Sequence, residues 1–552
     1  METEESQNAR RSVPVLNIVH NHSVSADSAS THEVPFQLPH SLPRRRMLFS
    51  PMTVVYILVG VCAVVGAIIG IVVTVQYNNL DDDKSSQTDQ AHPQSTSNST
   101  TTPSVTPPPS AVYQLRIFAL GAWGADPDFV DKADGQHRFR DETDRQAQAD
   151  VAALMASSAS TQAPQLIISQ GNNFNWYGLL ATNDTDIAGR VDASFTSVYN
   201  QPSLASIPWS VIMGENDYGG GEFLCGDSED KLHACGNEAA IIAGLQQKFK
   251  LQQQATSSSR SKKSKKKTKR KLQSVQDSRW TMANHYMKQS LVSPDNSVSI
   301  DIFHVDVTVH AAPRICCQCL GYAPPDMFSV SCPMIQPHDD YCAGGDMNSY
   351  NACRQELATY AKSSLDQFQL DAAASTATFK IVNGHLSPFE MSKKDRDRWL
   401  QAISKAGIHL WLHGHVPGMN HVRTNQTATT ASRRLKSHHE KYVDQHQHRS
   451  STTSKEHDVT AAASAAAAAL STVPVTHFMT NGIGGGVPME LLKSKPVPGA
   501  VDLWALSERK YGFLDIAANT TGLRVVLRTT DKMASYCYDI SRTQGDVGRA
   551  CS

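Results

Sequence analysis

The stretch FTSVYNQPSLASIPWSVIMGEND, residues 195–217, sets the reading of the whole chain. Within it WSVIM (209–213) is an apolar run of strand length that breaks at Gly214 into the polar loop Gly214-Glu215-Asn216-Asp217. Short apolar runs bounded by glycine read as buried strands. The same arrangement recurs four times. LRIFAL (115–120) enters Gly121-Ala122-Trp123-Gly124, and QLIIS (165–169) enters Gly171-Asn172-Asn173-Phe174-Asn175. ATFKIVN (377–383) enters Gly384-His385, and IHLWL (408–412) enters Gly414-His415-Val416-Pro417. THFMT (476–480) is a sixth strand of this kind, and KYGFLDIAA and GLRVVLRTT read as a hairpin turning at Asn519, Thr520 and Thr521. DETDRQAQADVAALMASSA (141–159) and SKKDRDRWLQAISKAG (392–407) read as helices, the second with Ser392 as N-cap and Gly407 as its stop. Strands alternating with helices make an α/β layered domain, in which loops at the carboxyl ends of strands meet in one crevice. Five such loops are expected to converge there.

Further from this core, Met52 to Val75 contains no charged residue over 24 positions, enough to span a bilayer core of about 30 Å. Arg44, Arg45 and Arg46 precede it and Asp81, Asp82 and Asp83 follow, so the expected topology is a single-pass type II signal anchor with the C-terminal part outside the cytosol, at the plasma membrane or an endomembrane. Residues 1–46 read as a disordered cytoplasmic tail and 78–112, with TTTPSVTPPPS, as a Ser/Thr/Pro-rich stalk. Ten of the 11 cysteines lie beyond the span, an even number suited to an oxidising compartment. Cys316, Cys317 and Cys319 lack the CxxC spacing of a zinc knuckle and are expected in disulfides. Sequons on the same side place candidate glycans at Asn98, Asn183, Asn425 and Asn519.

The formal net charge of -1 argues against a dedicated nucleic-acid binder. That balance conceals an insertion at 255–275 whose run Arg260, Lys262, Lys263, Lys265, Lys266, Lys267, Lys269, Arg270 and Lys271 is either a solvated loop or a contact for anionic glycans or lipid. A second insertion, 424–473, is rich in His and Ala.

In order and spacing, the five loops resemble the metallophosphoesterases, specifically the small purple (tartrate-resistant-type) acid phosphatases with their GDxG, GDNFY, GNHD, GHYP and GHDH motifs. The flanks agree: SIPWSVIMGEND, RWTMANHYMKQS, TNGIGGG and YGFLDIAANTTGLRVVLRTTD are similar to that family's corresponding segments. The resemblance spans about 113–530 less the insertions, with 531–552 as a C-terminal tail. It implies a four-layer β-sandwich flanked by helices, with two metal ions sharing a bridging carboxylate. At the first metal position, however, this sequence has Ala122, Asn172, Asn175 and Pro417. Ala and Pro cannot ligate, and neutral Asn cannot balance the ions' charge. The second position retains Asn172, Glu215, His385 and His415, a set that would hold at most one zinc- or iron-like ion. Asn216 replaces the histidine that contacts phosphate and cannot act as a general acid, which leaves Asp217 without the side chain it would orient.

Three readings follow. The first is a membrane-anchored domain of this fold, catalytically inactive, acting by binding or scaffolding on a protein or glycan partner. The second is an acid phosphomonoesterase using one residual metal, with Asp217 or an inserted histidine as proton donor. The third is a polyanion-binding surface built on the basic loop.

Overall fold

A computed structural model describes residues 112–551 apart from 126–138, 180–183, 221–224, 227–231, 255, 258–274, 277, 324–331, 425–473, 493–497 and 532–533. These residues fall in one compact unit, Pro107–Ser552. The expected span 52–75, the tail and most of the stalk, the basic run 260–271 and the body of the His/Ala-rich insertion lie outside the described residues. Among those described, no helix is long and apolar enough to cross a membrane.

The fold is mixed α/β with two sheets. The first sheet contains β1 (Leu115–Leu120), β2 (Leu166–Ser169), β3 (Trp209–Ser210), β4 (Trp280–Thr281), β12 (Gly512–Ala518), β13 (Gly522–Thr529), β14 (Ala534–Ser541) and β15 (Arg549–Ala550), in the order β15-β14-β13-β12-β1-β2-β3-β4. The second contains β5 (Tyr286–Val292), β6 (Ser299–Val305), β7 (Phe379–Gly384), β8 (Leu410–His413), β9 (Met419–Thr424), β10 (His477–Asn481) and β11 (Ala500–Ala505), in the order β11-β9-β10-β8-β7-β6-β5. The first sheet is parallel from β1 to its edge strand β4 and antiparallel on the other side of β1, whereas the second has a parallel centre, β6-β7-β8-β10, with antiparallel strands on both flanks. Central parallel strands are covered on both faces, which is why β1, β2 and β8 are near-continuous apolar runs.

Helix α1 (Glu142–Gln162) packs on β12 and β13, and the 28-residue α5 (Met347–Ala374) on β5 and β6. Between them in the chain lie α2 (Asp184–Val191), α3 (Glu238–Gln253) and the short α4 (Ala312–Cys316); α6 (Lys393–Ala406) follows α5. The expected caps form: the Ser392 side chain accepts from Asp395 N, and Gly407 sits at φ 66°. In the β12–β13 turn the Asn519 side-chain oxygen accepts from Thr521 N at 2.9 Å, Thr521 Oγ1 at 2.8 Å and Gly522 N at 2.9 Å. The basic insertion is pinched where it begins and ends, because Thr256–Ser257 pairs with Val275–Gln276.

Two features depart from the sequence reading. WSVIM forms only a two-residue strand, since the chain peels away to feed the loop at Gly214. Residues 531–552 are not a tail. β14 and β15 extend the first sheet, Cys537 is bonded to Cys551, and Tyr536 of β14 meets Nδ1 of His421 at 2.8 Å. A strand of mixed polar and aromatic residues next to a sheet edge carries no continuous apolar signal, so its pairing is invisible in one sequence.

Two sets of buried side chains hold the layers. Trp209 and Trp123 have ring centroids 5.2 Å apart, and Phe195 lies 5.1 Å from Trp209 and 5.0 Å from Trp280. Polar ties cross between the sheets: the Asn383 side chain donates to Ser169 O at 2.9 Å and that of Asn481 to Ala119 O at 2.8 Å. Trp209→Ala should therefore remove about 3–5 kcal/mol of stability, read from denaturant unfolding.

Four histidines away from the crevice are buried and neutral. Desolvation pushes His304 and His477 down to about 3 and His409 to about 4, and holds His421, in contact with His477, well below the ordinary value. The unfolded chain binds protons that these folded sites refuse, so their contribution is intact above about pH 6.5 and is lost as pH falls toward 4. Thermal unfolding across that range should show a falling midpoint, each such group withdrawing up to about 1.4 kcal/mol per pH unit. A midpoint flat from pH 7 to 4 would contradict neutral burial.

Candidate functional site

The loops that follow β1, β2, β3, β7 and β8 meet at the carboxyl ends of the parallel strands. Backbone bonds join them: Ala122 N donates to Gly171 O at 3.2 Å, and Gly414 N and His415 N donate to His385 O at 3.1 and 3.0 Å. Glycine is required at two points. A Cβ on Gly171, whose φ is +88°, would lie 2.6 Å from His385 Nδ1, and one on Gly214 would lie 2.7 Å from its Cε1. The missing side chains leave room for the imidazole.

Glu215, His385 and His415 each offer a ligand atom, all within 4.8 Å of one another. Nδ1–H of His385 donates to Gln170 O at 2.6 Å, which leaves Nε2 turned to Oε2 of Glu215 in close contact. His415 Nδ1 donates to the same oxygen at 2.9 Å. Glu215 is 1% exposed. Burial alone would raise its pKa, but the charges of His415 and His385 and their hydrogen bonds outweigh it and hold the carboxyl well below the ordinary range. Burial opposes protonation of His415, and Glu215 reverses the balance, raising it.

The donor set fits one ion and not two. A carboxylate and two imidazoles, one fixed by a bond from its other nitrogen, are a sound three-ligand set. The fourth expected ligand, Asn172, is otherwise engaged: its Oδ1 accepts from Asn216 N at 3.0 Å and its Nδ2 donates to Glu215 Oε1 at 3.1 Å. The remaining first-metal positions do not fit. Asn175 Oδ1 accepts from Asn216 Nδ2 at 2.6 Å, and Asn175 Nδ2 donates to Asn172 O at 3.3 Å. Ala122 is buried with φ 51°, and the carbonyl of Pro417 accepts from Glu490 N at 2.6 Å. A network of neutral amides fills the place where anionic ligands would be needed.

Asp217 corrects the sequence reading. It is not left without a role, and it does not face a substrate. Fully buried, it accepts from Asn173 N at 2.8 Å, Phe174 N at 2.9 Å and Gly214 N at 2.8 Å, and so clamps the β2 and β3 loops together. Desolvation pushes it up to about 6 in spite of these donors. With its oxygens turned inward it is not placed to protonate a leaving group. Asp217→Asn sets an amide N–H against backbone N–H donors and should cost about 2–4 kcal/mol in denaturant unfolding, the cost of buried donors left unmet. A change under about 0.5 kcal/mol would mean the clamp is dispensable.

Two neighbours were not legible as site residues. Glu390, raised by burial, accepts from Ser387 N at 2.6 Å in a capping box and lies 3.5 Å from His413 Nδ1. The S-x-x-E spacing of SPFE was the available signal for Glu390. Arg314, on α4, brings Nη1 to 3.7 Å from Glu215 Oε1; it lies in a segment that no loop motif marks. Around it, Cys316–Cys353, Cys317–Cys342 and Cys319–Cys332 are disulfides, as is Cys225–Cys235. With Cys537–Cys551 they pair all ten cysteines beyond the expected span, as in domains folded in an oxidising compartment. Of the sequon asparagines, Asn519 sits in the turn described above, while Asn98, Asn183 and Asn425 lie outside the described residues.

No family model matches the chain. Over 104 residues, 19% of its length, it is 29% identical to tartrate-resistant acid phosphatase type 5 of Sus scrofa, and the match spans 26% of that protein, about a quarter of its length. Among solved structures it is similar to GAP50, the anchor in the inner membrane complex of Plasmodium, at 13% identity over 78% of this chain and 89% of that one, with a TM-score of 0.41. Others are a purple acid phosphatase from yellow lupin (Lupinus luteus) seeds, at 10% identity over 77% and 53% with a TM-score of 0.37, and PhoD, at 10% over 81% and 73% with a TM-score of 0.37. The resemblance carried by the loop motifs is thus met again in a direct sequence match to a tartrate-resistant acid phosphatase.

Proposed function

We propose that this chain is a purple-acid-phosphatase-like domain that has lost two-metal phosphoester hydrolysis and acts by binding, as a scaffold or recognition surface. Residues 52–75 anchor it, and the disulfide-bonded domain lies on the non-cytosolic side of the membrane. One observation carries the reading. The amides of Asn172, Asn175 and Asn216 bond to one another and to backbone where the first ion's anionic ligands would stand.

Two-metal hydrolysis needs one ion pair to acidify a water and to clamp the phosphoryl oxygens during in-line attack. With Ala122, Asn175 and Pro417 in place of ligands, half of that machinery cannot be assembled. Asn216, hydrogen-bonded to Asn175, supplies no transferable proton. What remains is a crevice of fixed shape, lined by imidazoles, carboxylates and a guanidinium.

The cluster of Glu215, His385 and His415 favours a second reading, an acid phosphomonoesterase with a single zinc- or iron-like ion held by those three residues. Such an ion, when bound, supplies Lewis acidity. Glu390 is then the crevice carboxyl in place of Asp217. Full-length protein assayed with an aryl phosphate separates the two. The binding reading expects a rate no higher than that of a His385→Ala, His415→Ala double variant. A rate at least a hundredfold above that variant and abolished by chelator would establish the enzyme instead.

A further inference from the structure

The oxygens of Glu215 are not treated alike. Oε2 takes both imidazoles, whereas Oε1 takes the Asn172 amide and faces Arg314 Nη1 at 3.7 Å. Oε1 is therefore the oxygen on the side of Asn172, the position where the resembling family would place its bridging carboxylate. Among the described residues, Glu215 is the one carboxylate within 4 Å of Arg314, and no hydrogen bond engages the guanidinium. Its position is set by α4, whose last residue, Cys316, is tied to Cys353, and the next residue, Cys317, to Cys342. Two crosslinks within three residues leave the helix little freedom to carry the arginine away.

A guanidinium stays charged at every pH at which the protein is folded. A buried carboxylate needs a compensating cation, and a cation tethered beside it answers that need without an ion from solution. The same charge opposes entry of a dication. Resting on the reading that the crevice has lost its ion pair, we propose that Arg314 adds a fixed counter-charge to Glu215 beside the two imidazoles, a positioning residue that weakens divalent-metal binding at Glu215, His385 and His415. A unit charge within several ångströms of a dication, screened by water, lowers affinity by about tenfold.

The test is zinc and cobalt titration of metal-stripped full-length protein in detergent, followed by calorimetry and by cobalt absorbance. Arg314→Gln should bind zinc about tenfold more tightly than the parent, and Arg314→Lys, which keeps the charge, should stay within about threefold of it. Adding His385→Ala and His415→Ala to Arg314→Gln should abolish the gain, which separates the cluster from metal held by the His-rich insertion. Thermal unfolding of each variant checks that the fold is kept. The proposal is overturned if Arg314→Gln binds no more tightly than the parent, or if Arg314→Lys gains as much as Arg314→Gln. Two ions per chain lost together with His385 and His415 in the parent would instead overturn the reading of the crevice itself.

Discussion

A carboxylate removed from water must be met by positive charge or by several hydrogen-bond donors, or it will not stay ionised. Glu215 is where this chain faces that demand, and the arrangement of five loops answers it. His385 reaches it because Gly171 and Gly214 have no side chain in the way, and His415 reaches it because its backbone is tied to that of His385. Arg314 comes from a different part of the chain altogether, held by disulfide-bonded α4. Three cationic or potentially cationic groups thus surround this anion, with the Glu390 carboxyl and a group of uncharged amides nearby.

The amides of the crevice are engaged with their surroundings. Asn216 Nδ2 donates to Asn175 Oδ1, Asn175 Nδ2 donates to Asn172 O, and Asn172 Oδ1 accepts from Asn216 N while its Nδ2 donates to Glu215. Asp217 belongs to the same logic: a residue suited to orienting a histidine serves equally well to clamp two loops.

Much of this was legible in one sequence because the central strands are buried on both faces. Continuous apolar runs ending at glycine mark β1, β2, β7, β8 and β10 to within about two residues, and the N-cap and C-cap of α6 are written in Ser392 and Gly407. The meeting of the five loops followed from that topology, and the choice of Glu215, His385 and His415 within them from the motif resemblance. Other features left no such trace. β14 pairs next to a sheet edge through residues that alternate polar and aromatic, and α5 buries a sparse stripe in an otherwise polar helix. Arg314 could not be read as part of the site, since its approach to Glu215 depends on crosslinks whose pairing spacing does not reveal. The orientation of the Asn172 amide is likewise a matter of its neighbours' hydrogen bonds, which no motif encodes.

The tight β12–β13 turn has a geometric consequence. It abuts the beginning of β1, where Leu115 pairs with Ala518, whereas the crevice opens beyond the end of β1 at Leu120. Six residues of extended chain separate those two poles, about 20 Å. A bulky sugar chain on Asn519, or a neighbouring molecule gripping that end of the sheet, would leave the opposite mouth unobstructed, so the domain can be held from one side and read from the other.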